Sequence, residues 1–272
     1  MEGWGDIDSA EDLTALAPEA TAAFARVLAA TAPVDLEGPL ADPGLRRWRD
    51  QFVGDVASLD DDQRASAAAA LGDDLFTHVV ATWASDMHRR LGGAWAQLSG
   101  AVPAAGVVET GADPTLAAWP AVDEFLLVVS RLDQLDPVTT EVVRLRGARA
   151  NNCRLCRSRR EVHAIEAGAD ETTFDAIDRY ETSDLDERLK VALRVTDAVL
   201  WTPASWPEGL VAEVQGAFTP AEAVELVYDI VRNAANRIAV ALGADAAQLT
   251  DGVEYFALES DGSLTYGLPA PT

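Results

Sequence analysis

Apolar side chains recur at steps of three and four through most of the chain, the spacing that lines one face of an α-helix. Leu75, Phe76, Val79, Val80, Trp83, Met87 and Leu91 form one such stripe, and Gly92-Gly93 reads as its stop. Asp136-Pro137 predicts a helix start, with a capping side chain before a proline suited to the first helical position. Thr219-Pro220-Ala221-Glu222 repeats that logic as a capping box, opening a helix that carries Val224, Val227, Ile230, Val231, Ile238 and Leu242 before Gly243. Ser183 to Asp186 opens another, with Leu189, Leu193 and Leu200 on its apolar side. Phe125-Leu126-Leu127-Val128-Val129 has the composition of a strand, but its flanks fit a buried helix equally well. No convincing alternating strand emerges, so the predicted fold class is all-α.

Between Ser99 and Pro120 the composition shifts to Gly, Pro and Ala, which predicts a linker over 99–120. It divides an N-terminal helical region (1–98) from a C-terminal helical domain (121–250), and 251–272 reads as an extended tail packing on the surface. The uncharged run from Leu91 to Val108 is broken by glycines, a proline, Gln97 and Ser99, and reads as a loop rather than a membrane span. Met1 to Asp6 has no basic stretch leading into an apolar one, so the expected location is cytoplasmic.

At 272 residues, with 49% hydrophobic and 24% charged side chains, the chain has ordinary globular composition and length for a sizeable core. Charge narrows the partners: 45 acidic and 21 basic side chains leave a net charge of −24. Such a surface repels phosphate backbones and anionic membranes, so neither nucleic acid nor membrane is an expected partner.

The chain has two cysteines, and both fall in Cys153-Arg154-Leu155-Cys156. Asn151 and Asn152 precede them as candidate caps, and Glu161, Val162, Ala164 and Ile165 continue a helical pattern up to Gly168. Both sulfurs then lie on one side of a first helical turn, where free N–H groups and the helix dipole favour thiolate over thiol. That geometry suits a reversible dithiol–disulfide couple. From Val142 to Arg160 there are seven arginines and no acid, an unusual island in so acidic a chain. Arg154, Arg157 and Arg160 are candidates to stabilise a thiolate or hold an anionic substrate. Equally open is pairing of these arginines with acids elsewhere in the chain or in an oligomer. Glu141 neighbours the apolar positions Val138, Val142 and Leu145; it reads either as a proton acceptor for a thiol or as an ordinary helix-surface glutamate.

Glu141, eleven intervening positions, Cys-x-x-Cys, the Ala167-Gly168 turn and Asn236-Arg237-Ile238-Ala239-Val240-Ala241-Leu242-Gly243 together resemble the carboxymuconolactone decarboxylase superfamily. Within it the likeness is to the alkylhydroperoxidase D-like branch, over about Val122 to Ala244. The resemblance implies an AhpD-like helical bundle, here with an additional N-terminal helical region, assembled as a homo-oligomer. It also implies peroxide or disulfide reduction, with Cys156 the peroxidatic thiol, Cys153 the resolving one and Glu141 in the proton relay. The family's relay histidine lies four residues after the second cysteine, where this chain has Arg160. Arginine cannot shuttle a proton at neutral pH, and His163 is the candidate substitute.

No Gly-x-Gly-x-x-Gly follows a strand, so no flavin or nicotinamide cofactor is expected and electrons would come from a dithiol donor protein. Cys153, Cys156 and His163 supply three zinc ligands where a closed site needs four, so no metal is expected. Two rivals remain: a non-catalytic oligomeric helical scaffold or redox sensor, and a decarboxylase-type enzyme, against which the cysteine pair argues.

Overall fold

Short helices make up the first quarter of the chain: α1 (Ala10–Ala15), α2 (Pro18–Thr31), α3 (Pro43–Asp55) and α4 (Asp61–Leu71). Ser9, Asp42 and Asp60 each accept the N–H three residues on, satisfying donors that a helix start leaves free. The computed structural model describes residues 3–101, 113 and 115–271.

Helix α5 (Leu75–Ser99) runs straight through Gly92-Gly93, the predicted stop, so the segment 91–99 is helical rather than a loop. An interior glycine costs a helix only about 1 kcal/mol. Gly93 also faces the Pro203 carbonyl so closely that a Cβ has no room there. Its function is close packing, not termination. Most of the predicted linker, residues 102–112 and 114, lies outside the described residues.

The second half contains α6 (Ala118–Val129), α7 (Pro137–Ala150), the single turn α8 (Arg154–Arg157), α9 (Val162–Glu166) and α10 (Glu171–Ala176). It continues with α11 (Glu187–Trp201), α12 (Leu210–Ala217), α13 (Pro220–Asn233) and α14 (Asn236–Ala241). Asp136 and Thr219 cap α7 and α13 as their sequences predict, Thr219 within a full capping box. The strand-like Phe125–Val129 run is helical, and Phe125 is fully buried.

The fold is predominantly helical, with, among the described residues, one small sheet that periodicity did not reveal. Strand β1 (Arg159–Glu161) pairs in parallel with β2 (Glu254–Leu258), which pairs antiparallel with β3 (Leu264–Leu268). The C-terminal segment is therefore a hairpin rather than a simple extended tail. Its turn docks on the end of α6, where the Ser130 hydroxyl donates to the Gly262 carbonyl at 3.0 Å. Strands of three to five residues, one of them exposed along most of its length, carry too little alternation to read.

One apolar core unites the N-terminal helices with α6, α11, α13 and α14. An aromatic chain runs through it. Phe24 (α2) meets Phe125 (α6) at 5.1 Å between ring centroids, Phe125 meets Tyr228 (α13) at 6.3 Å, and Tyr228 meets Trp95 (α5) at 5.5 Å. A smaller cluster, with Val142, Leu145, Phe174, Ile177 and Leu193, packs the other face of α7 against α9, α10 and α11. Polar anchors cross the larger core as well. Asp86 of α5, its side chain 1% exposed, accepts from Arg90 Nε at 2.8 Å and from Arg237 Nη1 of α14 at 3.0 Å. Among the described residues no helix is long and apolar enough to cross a membrane.

Candidate functional site

Cys153 and Cys156 are joined as a disulfide at the start of α8, with 5.3 Å between their Cα atoms. The local backbone differs from the expected one. Asn151 ends α7 and Asn152 takes a left-handed φ of 51°, so Cys153 itself is the cap of α8. Asparagine tolerates that conformation because its short polar side chain can bond locally; here Asn152 Oδ1 accepts from Arg157 Nη1 at 2.7 Å. Cys153 is 1% exposed and belongs to the main core, whereas Cys156 is half-buried.

The N–H groups of this turn are shared between sulfur and a carboxylate. Cys156 N–H donates to Cys153 Sγ at 3.2 Å. The Arg154 N–H goes to Asp245 Oδ2 and the Leu155 N–H to the Asp245 carbonyl, both at 2.9 Å. Asp245 is itself buried, which works against its ionisation, but hydrogen bonds from the Arg154 side chain and backbone outweigh burial and hold its carboxyl below the ordinary range. A negative charge therefore sits where an anionic sulfur was expected to collect the helix-end donors. Asp245 was missed because it lies 89 residues beyond Cys156 and only the fold brings it back.

The arginine island resolves largely into ion pairs within the chain. Arg144 pairs with Glu141, Arg146 with Asp197, Arg149 with Asp178, Arg154 with Asp245, Arg159 with Glu254 and Arg160 with Glu171. Arg157, which is exposed, donates to Asn152 instead. Arg160 is engaged by other groups: its guanidinium forks onto Glu171 at 2.9 and 3.1 Å and lies over the Phe174 ring at 5.1 Å.

Glu141 is buried, at 1% exposed, rather than on the helix surface. Its carboxylate takes two bonds from Arg144, at 2.5 and 2.7 Å, and one from the Glu161 N–H at 3.2 Å. Arg144 also donates to the Cys156 carbonyl at 2.9 Å, so Glu141 reaches the cysteine turn through a guanidinium. His163 does not continue a cysteine helix, because β1 intervenes between α8 and α9. Its Nδ1 meets Glu161 Oε1 at 2.9 Å. No cluster of three or more His, Cys, Asp or Glu side chains suited to a metal forms among the described residues.

Glu141 and His163 instead share the wall of a cavity of about 240 Å³ with Arg144, Glu161 and three residues of α13, Glu225, Asp229 and Arg232. Neither cysteine lines it. Glu161 organises one side, accepting the Ala164 N–H at 2.8 Å and the Leu258 N–H at 3.2 Å. Glu225 and Asp229, both 3% exposed, are one turn apart on α13. Two acids interrupting so apolar a helix at i and i+4 were a sequence signal that periodicity alone passed over.

No protein-family model matches the chain. Two mycobacterial relatives are shared along most of its length. Uncharacterized protein Rv2313c of Mycobacterium tuberculosis (strain ATCC 25618 / H37Rv) and uncharacterized protein MT2376 of strain CDC 1551 / Oshkosh are each 40% identical over 234 residues, 84% of this chain and 81% of theirs. The chain belongs to their family. No solved structure matches it.

Proposed function

We propose that this protein is a dithiol–disulfide oxidoreductase acting through Cys153 and Cys156, with Cys156 the sulfur that meets the partner. The observation that carries the reading is the pair itself: the chain's two cysteines within bonding distance on one turn, one half-buried and the other beneath it in the core. The motif resemblance to the alkylhydroperoxidase D-like branch supports the same chemistry. In reduction of a substrate disulfide, the Cys156 thiolate attacks one sulfur and expels the other as a thiolate. Cys153 then attacks Cys156 in the mixed disulfide, releases the second substrate thiol and closes the Cys153–Cys156 bond. An external dithiol protein returns the two electrons.

Peroxide is the second oxidant of this reading. Cys156 would take one oxygen as a sulfenic acid, the alcohol leaving with a proton, and Cys153 would close the disulfide with loss of water. Disulfides are the better substrate class because the peroxide route wants a nearby proton donor. Arg160 is engaged by Glu171, and Glu141 by Arg144. The reading assigns the protein to the cytoplasm, where a dithiol donor keeps the pair reduced. It also fits a homo-oligomer, with the exposed, adjacent rings of Phe76 and Trp119 offering apolar contact area.

The test is a panel of disulfides and peroxides with a dithiol donor, comparing the unmodified chain with Cys156→Ser. Turnover on at least one disulfide, abolished in Cys156→Ser, is the expected result. Full turnover by that variant overturns the assignment. A second reading, a helical scaffold whose thiols are structural, is favoured by the burial of Cys153; it predicts no turnover by either chain and a loss of stability on reduction.

A further inference from the structure

The cavity bounded by α7, α13 and the C-terminal hairpin holds a carboxylate with an unmet need. Asp229 lines it, is 3% exposed, and its Oδ2 has no hydrogen-bond partner. Buried polar atoms are nearly always paired, and one left open toward a cavity marks where a donor belongs. Glu225 stands beside it, its oxygens accepting the Gln134 N–H at 2.6 Å and the Leu135 N–H at 3.3 Å.

Charge sharpens the point. Arg144 is consumed by the bidentate pair with Glu141, and Glu161 is met by two backbone N–H groups and His163. That leaves Glu225 and Asp229 facing Arg232, whose Nε is turned to the Leu126 carbonyl at 3.1 Å. Asp133 at the rim is exposed, and Tyr266 lies on the Arg232 side. Two buried carboxyls therefore stand against one cation, and this end of the site is short of positive charge. A proton can supply it. Burial and then the neighbouring Asp229 push the Glu225 carboxyl up to about 8. Burial pushes Asp229 up to about 7, against the pull of Arg232 and Thr140. An ammonium group supplies the same charge and also brings N–H donors for Asp229 Oδ2. The remaining wall is hydrocarbon: Leu132, Leu135, Phe256 and Leu258.

We propose that this cavity binds a small primary ammonium compound with a short apolar body, its N–H groups on Asp229 Oδ2 and beside Glu225, its hydrocarbon against the leucines and Phe256. Neither sulfur lines the cavity, and its link to the cysteine turn runs through Arg144, which donates to the Cys156 carbonyl. The measurement is calorimetric titration of the full chain with 2-phenylethylammonium chloride, in two buffers of different ionisation enthalpy near neutral pH. 2-Phenylethanol and 3-phenylpropionate are the matched neutral and anionic probes. The amine binds at least about tenfold more tightly than either, and its binding releases protons as Glu225 and Asp229 ionise. Asp229→Asn weakens the amine by about tenfold or more. Leu132→Trp, which narrows the cavity without touching its charges, weakens all binding and keeps the test standing if the Asn variant does not fold. No amine binding at millimolar concentration, equal binding of the alcohol or the acid, or binding without proton release overturns the proposal.

Discussion

Asp86→Asn removes the charge that holds two buried guanidiniums. In the native chain Asp86 bridges Arg90 and Arg237, each 3% exposed, while Arg89 reaches it from the surface at 2.5 Å. Burial pulls the Arg237 guanidinium down to about 10, with Asp86 opposing. The two arginines, on α5 and α14, also tie in two further helices: Arg90 donates to the Val199 carbonyl of α11 at 3.0 Å and to the Val53 carbonyl of α3 at 2.9 Å, and Arg237 donates to the Val53 carbonyl at 3.0 Å. Asparagine keeps the shape and one acceptor but cancels the charge. Breaking a buried pair by removing one partner costs about 3–5 kcal/mol. The backbone acceptors stay in place, so the lower end, about 3 kcal/mol, is expected. That is a large part of the roughly 5–15 kcal/mol that holds a typical fold. At roughly 2–4 °C per kcal/mol for a chain of this size, the melting midpoint falls by about 6–12 °C. Urea unfolding at neutral pH, followed by circular dichroism, reads the change. A loss below about 1 kcal/mol with an unchanged slope would show that the arginines are hydrated or paired otherwise, and the argument for this rivet would be wrong. Replacing Asp86, Arg90 and Arg237 together by apolar residues should recover much of the loss, since a well-packed apolar substitute for a buried ion pair is often neutral or better.

Glu225 and Asp229 bind protons in the folded chain at pH values where the unfolded chain has released them, because burial raises both carboxyls, to about 8 and about 7. Their contribution to stability is complete below the unfolded values and is lost as pH rises through the folded ones, so stability should decline between about pH 5 and 8 and then level. Urea midpoints across that range should fall less steeply for Glu225→Gln; parallel slopes in variant and parent would refute the linkage. Asp245→Asn removes the negative charge beside the cysteine turn. In the reduced protein, alkylation of Cys156 by iodoacetamide should reach its half-maximal rate at a lower pH, by about one unit, and an unchanged profile would mean that Asp245 is only a helix cap.

Much of the local structure was legible in the chain. Asp136 and Thr219 cap their helices as read, the stripe from Leu75 is one helix while that from Val224 to Leu242 is two, α13 and α14, and the Cys-x-x-Cys turn brings its sulfurs together. These rest on interactions within four residues, where covalent geometry leaves few alternatives. Glycine was the weakest local signal. Gly93 has the same composition as a helix end, but its missing side chain serves the Pro203 loop more than a hundred positions away.

The sequence by itself determined the helical class, the helix starts and the meeting of the two cysteines. Only the tertiary structure decided which arginines were free, which acids were buried and what faced the sulfurs. Electrostatic environment is a property of three-dimensional neighbours and of the water excluded between them. Glu171, Asp245 and Glu254 neutralise Arg160, Arg154 and Arg159 across separations of 11, 91 and 95 residues, and no local pattern reports them. For the same reason Glu141, read either as a proton acceptor for a thiol or as a helix-surface glutamate, is held by Arg144 at the wall of a cavity whose far side is made by α13 and a C-terminal hairpin.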